Sequence, residues 1–158
     1  RVRDEIIALA KSGLTVIADS RYNIGEYTDC ILKPNEVECW RAVYNNEGYI
    51  DAGYDEFIEA AKLLAKKNRS TVFCTLGKRG SIVTDGDRME KADAVLFDGE
   101  VDICGAGDTS LSAFSAAIAA KTELKAAAQF AGLASGVTVR KIGVTGTASP
   151  EEIEALAQ

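Results

Sequence analysis

Apolar and polar residues recur along this chain with two different periods, and the periods take turns. The opening segment, RDEIIALAKSG, spaces its apolar residues as a helix does, stops at Gly13 and leads into TVIADS, a short run suited to a strand. A second short apolar run, CILKP, enters NEVECWRAVYNNEG, where Val37, Trp40, Ala42 and Val43 make a partial helical stripe. A longer amphipathic helix is predicted next, with Tyr54, Phe57, Ile58, Ala61, Leu64 and Ala65 on one face. STVFCTL, rich in β-branched and apolar residues, is the most strand-like run of all and is stopped by GKRG. SIVTDGD and RMEKADAVLFDGEVD read as short strands joined by an Asp-Gly turn. The remainder is helical, first around Leu111, Phe114 and Ile118, then around Leu124, Ala127, Ala131 and Ala134, whose small residues permit close packing. A last helix begins at SPEEIEALA, with Ser149 as N-cap, Pro150 at the first helical position and Glu152 completing a capping box. No internal repeat, low-complexity tract or linker interrupts the series. Strands that alternate with helices predict an α/β layered fold with a mostly parallel sheet.

Composition narrows the chemistry. The 158 residues, 47% hydrophobic and 27% charged, suit one globular domain or a large piece of one. A net charge of −6, with no basic cluster interleaved with aromatics, argues against nucleic acid and points to small-molecule partners. No apolar run reaches the roughly 20 residues that span a bilayer and no signal peptide precedes the first helix, so the expectation is a cytoplasmic protein with no membrane partner. Cys30, Cys39, Cys74 and Cys104 lie far apart with no C-x-x-C pair, a pattern of reduced thiols rather than of disulfides or a zinc site. The chain contains no histidine, which removes imidazole bases, Ser-His-Asp triads and imidazole metal ligands. Acid–base chemistry here falls to a carboxylate, Lys, Tyr or Cys. The start at Arg1, directly on a helical pattern, reads as the middle of a larger protein.

Three stretches carry candidate chemistry. In DICGAGDT, the residues Gly105, Ala106 and Gly107 open the Leu111 helix, where unpaired N–H groups and the positive end of the helix dipole form an anion site that a phosphate can approach closely. Asp108 directly follows. It either complements the dipole, or it takes the proton of a hydroxyl that attacks phosphorus while the amides hold the developing charge. TLGKRG lies at the end of the best strand, where parallel sheets place ligand loops, and is either an ordinary turn or a nucleotide-binding loop. In PNEVE, Asn35 and Glu38 stand three apart, the spacing both of a helix capping box and of a pair of hard oxygen donors for water, Mg²⁺ and phosphate at a helix mouth.

KPNEVE, TLGKRG and DICGAGDT, in that order and followed by AGLASGVTVRKIGVTGTAS, resemble the C-terminal half of the ribokinase-like (PfkB) carbohydrate kinase family over essentially the whole chain. The resemblance implies a three-layer α/β/α, mostly parallel, ribokinase-like fold, with residues 1–158 forming the nucleotide-binding part of one kinase domain, without its N-terminal half and β lid. It implies ATP-dependent phosphorylation of a sugar or sugar phosphate hydroxyl. Asp108 is then the catalytic base, and Gly105, Ala106 and Gly107 are the anion hole. Asn35 and Glu38 organise Mg²⁺ through water, and Thr75, Gly77 and Gly80 line the ATP site. A monovalent cation, K⁺, is implied at backbone oxygens near Asp102, Cys104, Thr138, Lys141 and Gly143.

The departures from the family pattern are informative. The common D-T-x-G-A-G-D has Ile103 in place of Thr here, with Cys104 at the variable place, changes that bear on the cation site rather than the base. Cys104 is either a thiol of lowered pKa at a helix start or a filler. Family members are about twice as long, and their N-terminal half supplies most sugar contacts, so pairing with such a half or with a second copy is expected. The final segment and Thr109 are closest in appearance to heptose-phosphate kinase domains. A Rossmann dinucleotide site fits poorly, since Ser110 stands where G-x-G-x-x-G/A requires its third small residue. A non-catalytic nucleotide-binding or structural fragment is the other alternative.

Overall fold

The structure, a computed structural model, describes residues 1–46 and 52–157. The chain forms two compact units, one of residues 1–76 and 82–91, the other of residues 77–81 and 92–158.

The first unit is built around a five-stranded sheet in the order β1-β2-β3-β4-β5, with β1 at Ile17–Ala18, β2 at Ile31–Leu32, β3 at Val72–Thr75, β4 at Ser81–Thr84 and β5 at Met89–Ala92. β1 runs parallel to β2, with Ile17 opposite Ile31, and β2 runs parallel to β3, with Leu32 opposite Val72. Beyond the end of β2, Asn35 makes one more parallel bridge, to Thr75. The helices are α1 (Val2–Lys11), α2 (Glu36–Tyr44) and α3 (Tyr54–Asn68). The α3 stripe is buried as its period requires: Phe57, Ile58, Ala61, Leu64 and Ala65 join Leu32, Val72, Cys74 and Ile82 in one apolar cluster. α1 contributes only Ile6 and Ala10 to that cluster and buries no residue fully, so Val2 and Leu9 stay exposed. The Asp-Gly turn between β4 and β5 forms as expected. Asp85 accepts from the Asp87 and Arg88 amides at 3.0 and 2.8 Å, and Gly86 has φ +102°.

The second unit contains α4 (Ala106–Ala119), α5 (Leu124–Thr138) and α6 (Pro150–Ala157). α4 packs on α5 through Phe114, Ala117, Ala127, Ala131 and Ala134. The alanine-rich face of α5 admits the close approach, and the Thr138 hydroxyl donates to the Thr109 hydroxyl across the pair at 3.0 Å.

Two expectations need correction. TVIADS pairs over only two residues, Ile17 and Ala18. The run RMEKADAVLFDGEVD is strand only over its first part: β5 ends at Ala92 and residues 93–105 have no regular secondary structure. Leu96 and Phe97 in that stretch are exposed, so their apolarity reflects something other than a buried strand. The end of the NEVECWRAVYNNEG run, Glu47 and Gly48, lies outside the described residues.

Candidate active site

In the first unit, the carboxyl ends of the three parallel strands gather polar groups. Asp19 follows β1, Lys33 follows β2, and Thr75 closes β3. The Thr75 amide donates to the Pro34 carbonyl at 3.0 Å, which sets Asn35 beside it at the start of α2. Asn35 Oδ1 accepts from the Glu38 amide at 2.9 Å, and Glu38 Oε2 accepts from the Asn35 amide at 2.9 Å. The capping box is therefore complete, and it holds both oxygens that were also candidates for organising Mg²⁺.

The electrostatics of this end are unusual for a cap. Burial pushes the Glu38 carboxyl above its ordinary range. The Asn35 amide pulls it back, nearby Asp19 pushes it further up, and Lys33 and Arg21 oppose that rise. Lys33, with its side chain only 5% exposed, donates to Asp19 Oδ2 at 2.6 Å. The buried ammonium is thus bonded to one carboxylate, Asp19, and its charge also lowers the proton affinity of a second, Glu38. Sequence reasoning passed over Asp19 and Lys33. The signal was present, since each stands just past a strand-like run, where parallel sheets expose their ligand ends. Beneath them, Cys39 and Cys74 are buried, and contact with Cys39 together with full burial pushes the Cys74 thiol well up, which makes it inert filler.

The oxygen donors suit Mg²⁺, because a carboxylate keeps lone pairs beyond the one the Asn35 amide uses. Among the described residues no group of three or more Cys, Asp or Glu could hold a metal alone. Water and phosphate oxygens would have to complete the shell, as Mg²⁺ commonly requires.

In the second unit, Gly105 caps α4 at φ +79°, and a Cβ there would lie 2.9 Å from Thr145 Cγ2. Glycine is required twice over, by conformation and by contact. The Ala106 amide donates to the Ile103 carbonyl at 3.2 Å, so of the three small residues it is the one whose donor is already used. Asp108 sits in the first turn of α4 and is exposed. Gly77 and Gly80 both have positive φ, at +55° and +83°, and a Cβ on Gly80 would lie 2.1 Å from the Ala92 carbonyl, whereas the space around Gly77 is open.

Hydrogen bonds link the residues expected around a monovalent cation in this unit. Asp102 accepts from the Cys104 amide at 2.9 Å and the Gly143 amide at 3.0 Å, bonds that hold its carboxyl below the ordinary range. The Asp102 amide donates to the Val139 carbonyl at 2.8 Å, and the Lys141 amide to the Thr138 carbonyl at 3.0 Å. Backbone carbonyls and a carboxylate are hard oxygens of the chemical kind that K⁺ takes, and Asp102 ties the two segments together.

An α/β domain that collects carboxylate, ammonium and amide groups past the carboxyl ends of parallel strands falls in the class that binds ligands there. Comparison with known proteins gives the family. The chain belongs to the pfkB family of carbohydrate kinases, whose model matches residues 8–152. It is 33% identical over 149 residues to the bifunctional protein HldE of Nitratiruptor sp., covering 92% of this chain and 30% of that protein. The HldE of Shewanella baltica is 30% identical over 156 residues, covering 97% of this chain and 32% of that one. Among solved structures, Arabidopsis thaliana ribokinase complexed with ribose and ATP superposes with a TM-score of 0.82 at 24% identity, over 99% of this chain and 53% of that one. Escherichia coli phosphofructokinase-2 in complex with potassium does so with a TM-score of 0.81 at 19% identity, over 99% and 53%. The fold is ribokinase-like, and the chain spans about a third of the HldE proteins and about half of these kinases.

Proposed function

We propose that this chain carries the nucleotide site and the general base of an ATP-dependent carbohydrate kinase. The observation that carries the reading is the start of α4, where a glycine-capped helix exposes amides and places an exposed carboxylate in the same first turn. ATP with Mg²⁺ supplies, when bound, the phosphoryl group and a divalent charge beside it. Asp108 accepts the proton of the acceptor hydroxyl as that oxygen attacks the γ-phosphorus of ATP, whose bond to the β-phosphate's bridging oxygen breaks so that ADP leaves. The amides of Gly105 and Gly107 face the charge that develops on the phosphoryl oxygens, acting with the helix dipole. Asn35 and Glu38 orient water around Mg²⁺, with Glu38 held by the Asn35 amide, while Thr75, Gly77 and Gly80 line the nucleotide. Asp102 and the neighbouring carbonyls would hold K⁺, whose charge would support the turn that forms the anion hole.

The family and the potassium- and ATP-bound relatives support this reading. The resemblance to heptose-phosphate kinase domains makes a heptose phosphate the first acceptor to try. The test is calorimetric titration with Mg·ATP and Mg·ADP, followed by an ADP-release assay over a panel of sugars and sugar phosphates. It is run on this chain and on a version extended to the length of its relatives. Nucleotide binding with sugar-dependent ADP release in the longer version supports the kinase, and absence of both overturns it.

A further inference from the structure

Lys141 Nζ lies 2.8 and 2.9 Å from the two carboxylate oxygens of Glu152 and donates also to the Thr147 carbonyl. Glu152 Oε2 in turn accepts from the Ser149 amide at 2.8 Å, as the capping box of α6. The Lys141 side chain runs so close over Gly146 that a Cβ there would lie 2.8 Å from it. One ammonium therefore gathers both ends of the 141–149 loop onto the first turn of α6.

The same loop grips the start of α4. Its Gly143 amide bonds Asp102, its Thr145 hydroxyl lies 3.7 Å from Cys104 Sγ, and the Thr145 methyl is the group that leaves no room for a Cβ on Gly105. The backbone before α4 is non-regular; the end of α5 holds it through the Asp102 amide, which donates to the Val139 carbonyl at 2.8 Å, and the loop adds the contacts to the Asp102 carboxylate, Cys104 and Gly105. We propose that Lys141 is a positioning residue for the Gly105–Gly107 turn: its tethered ammonium, paired with Glu152, fixes the 141–149 loop, and the loop fixes Asp102, Cys104 and Gly105. The proposal rests on the reading of that turn as the anion site. An ion pair of this kind, with both carboxylate oxygens and a carbonyl engaged, belongs to the networked geometries that exceed an isolated surface pair.

Cys104 provides a direct readout, because it is exposed while Cys30, Cys39 and Cys74 are buried. The experiment compares wild type with Lys141→Met, Lys141→Arg and Glu152→Gln. It reads the rate of Cys104 modification by an aromatic disulfide reagent and the affinity for Mg·ADP, with a Cys104→Ser control to assign the thiol and melting curves to confirm folding. Glu152→Gln keeps a cap oxygen for the Ser149 amide, and so tests the ion pair even if Lys141→Met folds poorly. The expected result is a thiol rate about fivefold higher, and Mg·ADP affinity about fivefold lower, in Lys141→Met, with a smaller change of the same sign in Glu152→Gln. Lys141→Arg should stay within about twofold of wild type, since it keeps the cation. An unchanged thiol rate in the folded Met and Gln variants overturns the proposal, as does an equal rise in Lys141→Arg. A faster thiol with Mg·ADP affinity as in wild type overturns the positioning role. Failure of the wild type to bind nucleotide counts against the kinase reading instead, and the thiol rates alone then decide whether Lys141 holds the turn.

Discussion

Asp108 is the residue on which the proposed chemistry turns. In a protein able to phosphorylate its acceptor, Asp108→Asn should leave Mg·ATP binding close to wild type and lower turnover by about 100- to 10,000-fold, the usual share of a general base. Near-normal turnover would leave Asp108 as a dipole-complementing residue and nothing more. Gly105 tests the other half of the site. Its φ of +79° and the 2.9 Å approach of Thr145 both exclude a side chain, so Gly105→Ala should lower unfolding free energy by about 2 kcal/mol, read by urea denaturation. Glu38 offers a pH signature. Because burial raises its pKa in the fold, the folded state keeps the proton to higher pH than the unfolded chain does, and stability from this group falls as pH rises through that window. Glu38→Gln keeps the capping oxygen and removes the ionisation. Its melting temperature relative to wild type should therefore climb from pH 4 to pH 7, while the Mg²⁺ concentration needed for activity rises. A wild type that gains on the variant with rising pH would show that Glu38 is stabilised as an anion.

At the scale of elements, the polar end of the sheet is held by β1 and β2 together. The Lys33 ammonium is nearly enclosed and its bond to Asp19 links the ends of two neighbouring strands. Removing one partner of such a pair costs more than replacing the buried ion by an apolar side chain of similar length. Asp19→Asn should destabilise by about 2–3 kcal/mol in denaturant unfolding, and Lys33→Met by distinctly less. The reverse order would mean that the ammonium is stabilised mainly by Glu38. Local pattern made most elements legible: the α3 stripe and both capping boxes, Asn35 with Glu38 and Ser149 with Glu152, stand where spacing put them. The short 3₁₀ turn at Ile24–Glu26 was not legible. It carries no period of its own and is held by the buried Asn68, 43 residues away, whose amide donates to the Gly25 carbonyl at 3.1 Å.

For the molecule as a whole, the share of each relative that the chain spans is the governing fact. We expect these 158 residues to bind Mg·ADP weakly and to phosphorylate no sugar, because the resemblance assigns most acceptor contacts to the other half of the domain. Exposed apolar side chains occur in both units, Val2, Leu9 and Leu14 in the first and Leu96, Ile103 and Val144 in the second, so concentration-dependent self-association is also expected. Light scattering coupled to gel filtration, with the titration and release assay above, measures all three. Robust turnover by the chain alone would show that the acceptor site lies within these residues.

What the sequence determined by itself was set by interactions reaching three or four residues: helix faces, caps, the Asp-Gly turn, and a glycine-rich helix start followed by an acid. Those depend on backbone geometry that any chain with this spacing adopts, which is why the candidate base and the capping pair were visible at once. Tertiary structure alone decided which distant groups meet. Lys33 finds Asp19 across 14 residues, Thr138 finds Thr109 across 29, and Asp102 finds Gly143 and Cys104 finds Thr145 across 41. Many lysines, threonines and glycines in this chain could have formed such pairs locally with equal chemistry. Only the packing of strands and helices, driven by burial of their apolar faces, selects the ones brought within bonding distance.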